Sequence, residues 1–176
     1  ELQIGVVGDN AFIEKTATSN GDLYINNNGS GKGIIFQNGG AERMRLDASG
    51  NLGLGTSVIP SYWSGYVALQ IGADNSIFGN SATSTGSALF IGQNIYNDGN
   101  VNRYTSTDEA GLIDLRNGVF KYLNAPSGLI GAEATLIERL TIDNTGDVGI
   151  GTSSPVSKTN ILSTKTVALS TADDFL

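Results

Sequence analysis

Residues 42–57 and 138–153 carry one segment twice: ERMRLDASGNLGLGTS and ERLTIDNTGDVGIGTS align without a gap, 96 positions apart. Eight of the sixteen positions are identical, and half of the others exchange one apolar residue for another: Met44/Leu140, Leu46/Ile142, Leu52/Val148 and Leu54/Ile150. A shorter echo precedes each copy, since Leu2-Gln3-Ile4-Gly5 returns as Leu69-Gln70-Ile71-Gly72. Two echoes in the same order make the chain a tandem array. The reading divides it into a first β module over residues 1–60, a linker or plug over 61–68, a second module over 69–156 and a tail over 157–176. Residues 157–176 read either as a plain tail or as the start of a further module. From LQIG to the Glu-Arg pair the chain runs 40 positions in the first module and 69 in the second, so the second carries 29 extra residues. Repetition favours an object whose units bury surface on one another over a single catalytic pocket.

Each module is small. A unit of some sixty residues buries only about 60% of the surface its unfolded chain exposes. Disulfides and Cys/His metal clusters cannot supplement it, because the chain has no Cys and no His. Packing on the next module, or on further copies of the chain, is what remains.

The local patterns are those of strands. Met44 and Leu46 alternate with Arg43, Arg45 and Asp47, the period-2 signature of a half-buried strand. Ala48-Ser49-Gly50-Asn51 is turn material, and Leu52-Gly53-Leu54-Gly55 follows as a return strand; the second copy gives Leu140 and Ile142, the turn Asn144–Asp147, then Val148–Gly151. Each copy is therefore a predicted hairpin. No window has sustained helical periodicity with caps, so the expected fold is all-β, short strands and hairpins with little helix. In each return strand one face carries branched aliphatics and the other nothing. Strand glycines mark close approach by another backbone. In a compact monomer that neighbour is the chain itself; in a fibrous trimer it is an adjacent subunit, which the thin modules favour and which makes Gly53, Gly55, Gly149 and Gly151, with Leu52, Leu54, Val148 and Ile150, candidates for intersubunit packing.

Composition narrows the function. Net charge is −7, and the ten Lys and Arg are scattered singly. Binding nucleic acid needs clustered basic residues to neutralise phosphates, so neither nucleic acid nor an anionic membrane is an expected partner. No apolar run approaches the roughly 20 residues of a membrane span, and no membrane insertion is expected. The chain begins with Glu rather than Met and is expected to be a piece of a longer polypeptide.

Motifs that suggest chemistry reduce to turns. Gly29-Ser30-Gly31-Lys32-Gly33 lacks both the upstream glycine and the Ser or Thr after lysine of a phosphate-binding loop. Asp143-Asn144-Thr145-Gly146-Asp147 opens like a calcium loop but lacks the bidentate Glu downstream, and reads as a hairpin turn capped by its first Asp. Without His or Cys, the Ser-His-Asp and Cys-His nucleophile arrangements are excluded within this chain. Asp108, Glu109 and Asp114 lie near aromatics, yet nothing marks the spaced carboxylate pair of a glycosidase. No enzyme activity, cofactor or metal is expected. The residues that stand out for binding are aromatic: Tyr62, Trp63, Tyr66, Tyr96 and Tyr104 are candidates for glycan or receptor contact. The competing role for Tyr62–Tyr66 is a plug packed where one module meets the next.

The paired E-R-[LM]-x-[LI]-D-x-[ST]-G-[ND]-[LV]-G-[LI]-G-T-S segments resemble those of bacteriophage tail-fibre and related virion appendage proteins, where RMRI-D-S-G-N-V-G-I-G-T-x-x-P segments recur. Arg43–Thr56 matches closely. The second copy also has the terminal proline, Pro155, whereas the first places Pro60 one position late. The stretch from Tyr62-Trp63-Ser64-Gly65-Tyr66 through Leu69–Gly72, with Gln93–Tyr96 and Ala125–Gly128 further on, also looks like marine-phage fibre sequence. The resemblance covers most of residues 42–156. It implies an elongated, intertwined β homotrimer, prism- or sandwich-like, facing outward on a virion. Its partners would be other fibre segments and a host-surface glycan or protein, and it carries over no catalytic residue. A related variant is a bacterial trimeric surface adhesin. Two further readings stand beside it: a carbohydrate-binding module with its site in the 73–132 insert, and, more distantly, a glycan depolymerase.

Overall fold

The computed structural model describes residues 2–7, 10–15, 25, 31, 33–59, 65–80 and 86–162. They are all-β, with no helix among the described residues. The chain divides into two compact units, residues 1–32 and 33–176. In the first, β1 (Leu2–Val7) and β2 (Asn10–Lys15) pair antiparallel, from Leu2↔Lys15 to Val7↔Asn10.

The second unit is built on one sheet of eleven strands. Along the chain come β3 (Ile34–Asn38), β4 (Ala41–Leu46), β5 (Leu52–Leu54), β6 (Tyr66–Ile71), β7 (Asn75–Asn80) and β8 (Ala88–Gln93). The short strands β9 (Ile95–Asn97) and β10 (Asn102–Tyr104) form a separate antiparallel pair. Then follow β11 (Asp108–Arg116), β12 (Val119–Gly128), β13 (Ile137–Ile142), β14 (Val148–Ile150) and β15 (Thr159–Ile161). The spatial order is β15-β14-β13-β12-β11-β8-β7-β6-β5-β4-β3, antiparallel except for β5–β6 and β14–β15. The sheet passes without a break across position 60, where the sequence suggests a module boundary. β6 opens at Tyr66, inside the stretch expected to be a linker, and pairs directly with β5 through Leu52↔Leu69.

The duplicated segment folds the same way twice. In both copies the Arg of the Glu-Arg pair is a bulge: the register steps from Phe36↔Met44 to Gln37↔Glu42 past Arg43, and from Tyr122↔Leu140 to Leu123↔Glu138 past Arg139. The turn is held by its first carboxylate. Asp47 Oδ1 accepts the Ser49 and Asn51 amides, both at 2.8 Å; Asp143 Oδ1 accepts the Thr145 and Asp147 amides, both at 2.9 Å. This is the Asx arrangement that the sequence predicts, with the oxygen that a calcium loop would give to the ion held by backbone instead. Each hairpin then passes its chain to a parallel strand: Gly72 N–H bonds Leu54 O at 2.8 Å, and Leu162 N–H bonds Ile150 O at 2.9 Å. One difference is at the [ND] position. Asn51 is buried and bridges Asp47 Oδ2 to the Ala68 amide, whereas Asp147 takes Lys158 as an ion-pair partner at 2.7 Å.

One face of this sheet carries the core. Phe78 and Phe90 stack at 4.7 Å, with Tyr66 edge-on to both, and the Arg116 guanidinium sits 5.4 Å over Phe90 while paired to buried Asp114. Further along the same face, Ile95 at the start of β9 packs into the space left by Gly92, where a Cβ would stand 2.6 Å from Ile95 Cγ2. The β9–β10 turn is held by Asp98. Its pKa is lowered to about 2, first by the Val101 amide, then by the Arg103 side chain and the Asn100 amide. The unfolded value is near 3.9, so the folded pKa is depressed. The turn's stabilisation is complete above that unfolded value and is lost as pH falls through about 2. An NMR titration should therefore put the Asp98 midpoint near 2, with Asn100 and Val101 amide protection fading over the same interval. A midpoint near 4 would contradict the arrangement.

Candidate functional site

The opposite face of the sheet has a different character. Following the register from edge to edge, one row runs Ile34, Leu46, Leu52, Leu69, Ile77 and Ile91, then Ile113, Tyr122, Leu140, Ile150 and Ile161. Every strand contributes one residue, and none of them is buried. At a strand spacing of about 4.8 Å this is an apolar ridge roughly 48 Å long. A parallel row, Val67, Leu89, Leu115, Phe120, Ile142 and Val148, flanks it, interrupted only by Gly79. Ile91 and Ile150 are each 44% exposed and Ile161 is 67% exposed. A single soluble chain rarely leaves so large a contiguous apolar surface in water; such patches mark places where something docks.

The third row is mixed. At one end it holds Phe36, Met44, Leu54 and Ile71, but across β7, β8, β11 and β12 it becomes Asn75, Gln93, Gly111 and Asn124. Two hollows meet at Gly111. One, of about 320 Å³, is lined chiefly by Ile71, Ile77, Ile91 and Ile113. The other, of about 430 Å³, holds Glu109, Asn124 and Arg139 as well as Tyr122.

No protein-family model matches this chain, and no curated protein is significantly similar to it. The site therefore stands on its own geometry.

The residues expected from sequence distribute unevenly. Leu52, Leu54, Val148 and Ile150 all lie on the apolar face, half-buried or exposed. The glycines between them do not await another subunit. A Cβ on Gly53 would stand 3.0 Å from Ile59 Cγ1 and 3.2 Å from Thr56 O; one on Gly149 would stand 2.5 Å from Thr152 O. The chain's own following loop fills the bare side. Gly55 and Gly151 have φ of +69° and +74° and turn the chain out of the hairpin into that loop, a conformation glycine adopts without a steric penalty. The expected close approach exists, but it is intramolecular.

The aromatic candidates are also corrected. Tyr96 and Tyr104 are 7% and 4% exposed. Tyr104 lies over Gly128, where a Cβ would come within 2.2 Å of its ring, and its hydroxyl donates to Pro126 O at 2.5 Å. Neither ring has a face free for a sugar. Tyr66 is half-buried against Phe78 and Phe90, while Tyr62 and Trp63 lie outside the described residues. Among the carboxylates, Asp114 is buried and committed to Arg116. Among the described residues no group of three or more His, Cys, Asp or Glu gathers as a metal site requires.

Sequence reasoning missed Tyr122, Ile91 and the ridge they belong to. The signal is present in Ala88-Leu89-Phe90-Ile91-Gly92 and Leu112-Ile113-Asp114-Leu115, where both alternating sets contain aliphatics. An antiparallel strand with one face in water shows polar residues on that face; these strands carry apolar residues on both.

Proposed function

We propose that this chain is a structural and adhesive segment of a fibrous virion appendage of the tail-fibre kind, assembled as a homotrimer. The observation that carries the reading is the apolar ridge crossing all eleven strands of the large sheet. Three such sheets facing a common axis would remove all three ridges from water at once, as in a prism. Burial of apolar surface contributes about 25 cal/mol per Å², so it supplies the support that thin modules without disulfides lack. The resemblance of the duplicated segments to fibre sequences points the same way. Three copies on one axis present three equivalent surfaces, and multivalent contact raises avidity over weak single-site binding.

The second copy of the repeat supports the tandem character. β15 pairs with β14 as β6 pairs with β5, which fits the tail over 157–176 opening a further module joined to other fibre segments. Among the described residues no helix is long and apolar enough to cross a membrane. Light scattering of the purified chain tests the assembly. The expected mass is three times the 18.3 kDa of one chain. A stable, folded monomer would rule the reading out.

A further inference from the structure

We infer that the polar end of the apolar face carries an ion pair made between copies of this chain, from Arg139 of one copy to Glu109 of the next. The inference rests on the trimer proposed above and names a contact that fixes how its faces meet. The structure describes seven Lys and Arg side chains, and five of them are ion-paired within the chain. The two left over, among the described residues, are Arg43 and Arg139, the same bulge residue in the two copies of the repeat. Arg139 is exposed beside the second hollow. Its Nε donates to Asn124 Oδ1 at 2.7 Å, which anchors the guanidinium there with no carboxylate against it. Glu109, exposed on the β11 side of the same hollow, has no cationic partner either, and its sequence neighbour is another acid, Asp108.

Within one chain these two groups do not answer each other. β12 lies between their strands, so they stand about two strand spacings, roughly 10 Å, apart across the hollow. Each copy therefore presents one cation and one carboxylate, both uncompensated, at the margin of the surface that the trimer would bury. Burying either without a partner is strongly destabilising. The three rows of the face contain no charged residue. A second copy of the same face thus offers Arg139 one nearby group of opposite sign, its Glu109. In a ring of three, each junction joins one surface of a copy to a different surface of the next. Pairing Arg139 with the next copy's Glu109 uses each group once per junction and leaves none over. The pair also supplies what the ridge lacks. Every strand contributes an aliphatic or aromatic residue to the ridge, so a face displaced by one strand still meets apolar surface. Complementary charges fix register and penalise the displaced arrangement.

Mixing variants separates a contact between chains from one within a chain. Arg139→Glu and Glu109→Arg each set like charges against one another at every junction. In sedimentation experiments, the concentration at which half the chains are trimeric should rise at least tenfold for either variant alone. Mixed in equal amounts, the two form trimers with opposite charges at all junctions but one. Trimers should then return at concentrations where neither variant assembles by itself. Both variants remain net negative, since each changes the chain's −7 by two units, so overall attraction cannot mimic the rescue. Loss of the Arg139–Asn124 contact, an effect inside one chain, would not be repaired by mixing. A wild-type trimer whose assembly neither reversal weakens, or variants that mixing fails to rescue, overturns the ion pair and leaves the trimer standing. A wild-type monomer overturns both. Should either reversal fail to fold, Arg139→Gln and Glu109→Gln take their place. Each should weaken assembly, and the two together no further than either alone, whereas independent roles would add and overturn the pair.

Discussion

Replacing Ile91 with lysine is expected to dissolve the assembly while leaving the isolated sheet nearly as stable as before. Ile91 sits mid-ridge on β8, paired with Ile77 on one side and Ile113 on the other, and in a single chain it is 44% exposed. A surface substitution of this kind ordinarily changes stability by within about 0.5 kcal/mol. In a trimer whose ridges face one another, the same lysine would be an uncompensated buried charge, which costs about 3–5 kcal/mol where a partner is missing. The cost recurs in every copy. Light scattering on Ile91→Lys beside Ile91→Val separates the cases, because valine keeps the apolar surface and should keep the trimer. If Ile91→Lys retains the wild-type mass and melting temperature, the ridge is not the contact surface.

How far the fold is legible in the sequence depends on how local each constraint is. The repeat hairpins are legible because their turn is written in adjacent residues: Asp47 and Asp143 each bind amides only two and four positions on. The bulges are not, since a bulge exists only relative to a partner strand, and nothing near Glu42 or Glu138 names β3 or β12 as that partner. LQIG reads as the opening of a separate module because its echo lies far upstream. Its neighbour is β5, reached by a parallel crossover that periodicity does not reveal. Tyr104 misleads for a related reason. Flanking Asn, Gly and Ser residues suggest an exposed loop, yet its hydroxyl partner is Pro126, 22 residues away on β12. The candidate aliphatics lie on an open face because period-2 alternation assigns residues to faces without knowing what covers either one.

The glycines of the two repeats make the last test, and they should answer differently. Gly149→Ala would place its new methyl 2.5 Å from the Thr152 carbonyl oxygen, a backbone atom that cannot swing aside. Overpacking of this kind typically costs about 1–3 kcal/mol, and a net loss of about 2 kcal/mol is expected in urea denaturation. Gly53→Ala meets a softer neighbour, the Ile59 side chain at 3.0 and 3.1 Å, with the Thr56 carbonyl at 3.2 Å. A shift of a few tenths of an ångström relieves it, and losing glycine's freedom in the unfolded chain returns about 0.4–1 kcal/mol. That substitution should be close to neutral. Because each glycine faces its own chain's loop, both variants should keep the wild-type mass at temperatures where they are folded. If these glycines packed instead against a neighbouring subunit, both substitutions would weaken the assembly, and by similar amounts. A change in mass with either one would therefore return the glycine face to the subunit interface.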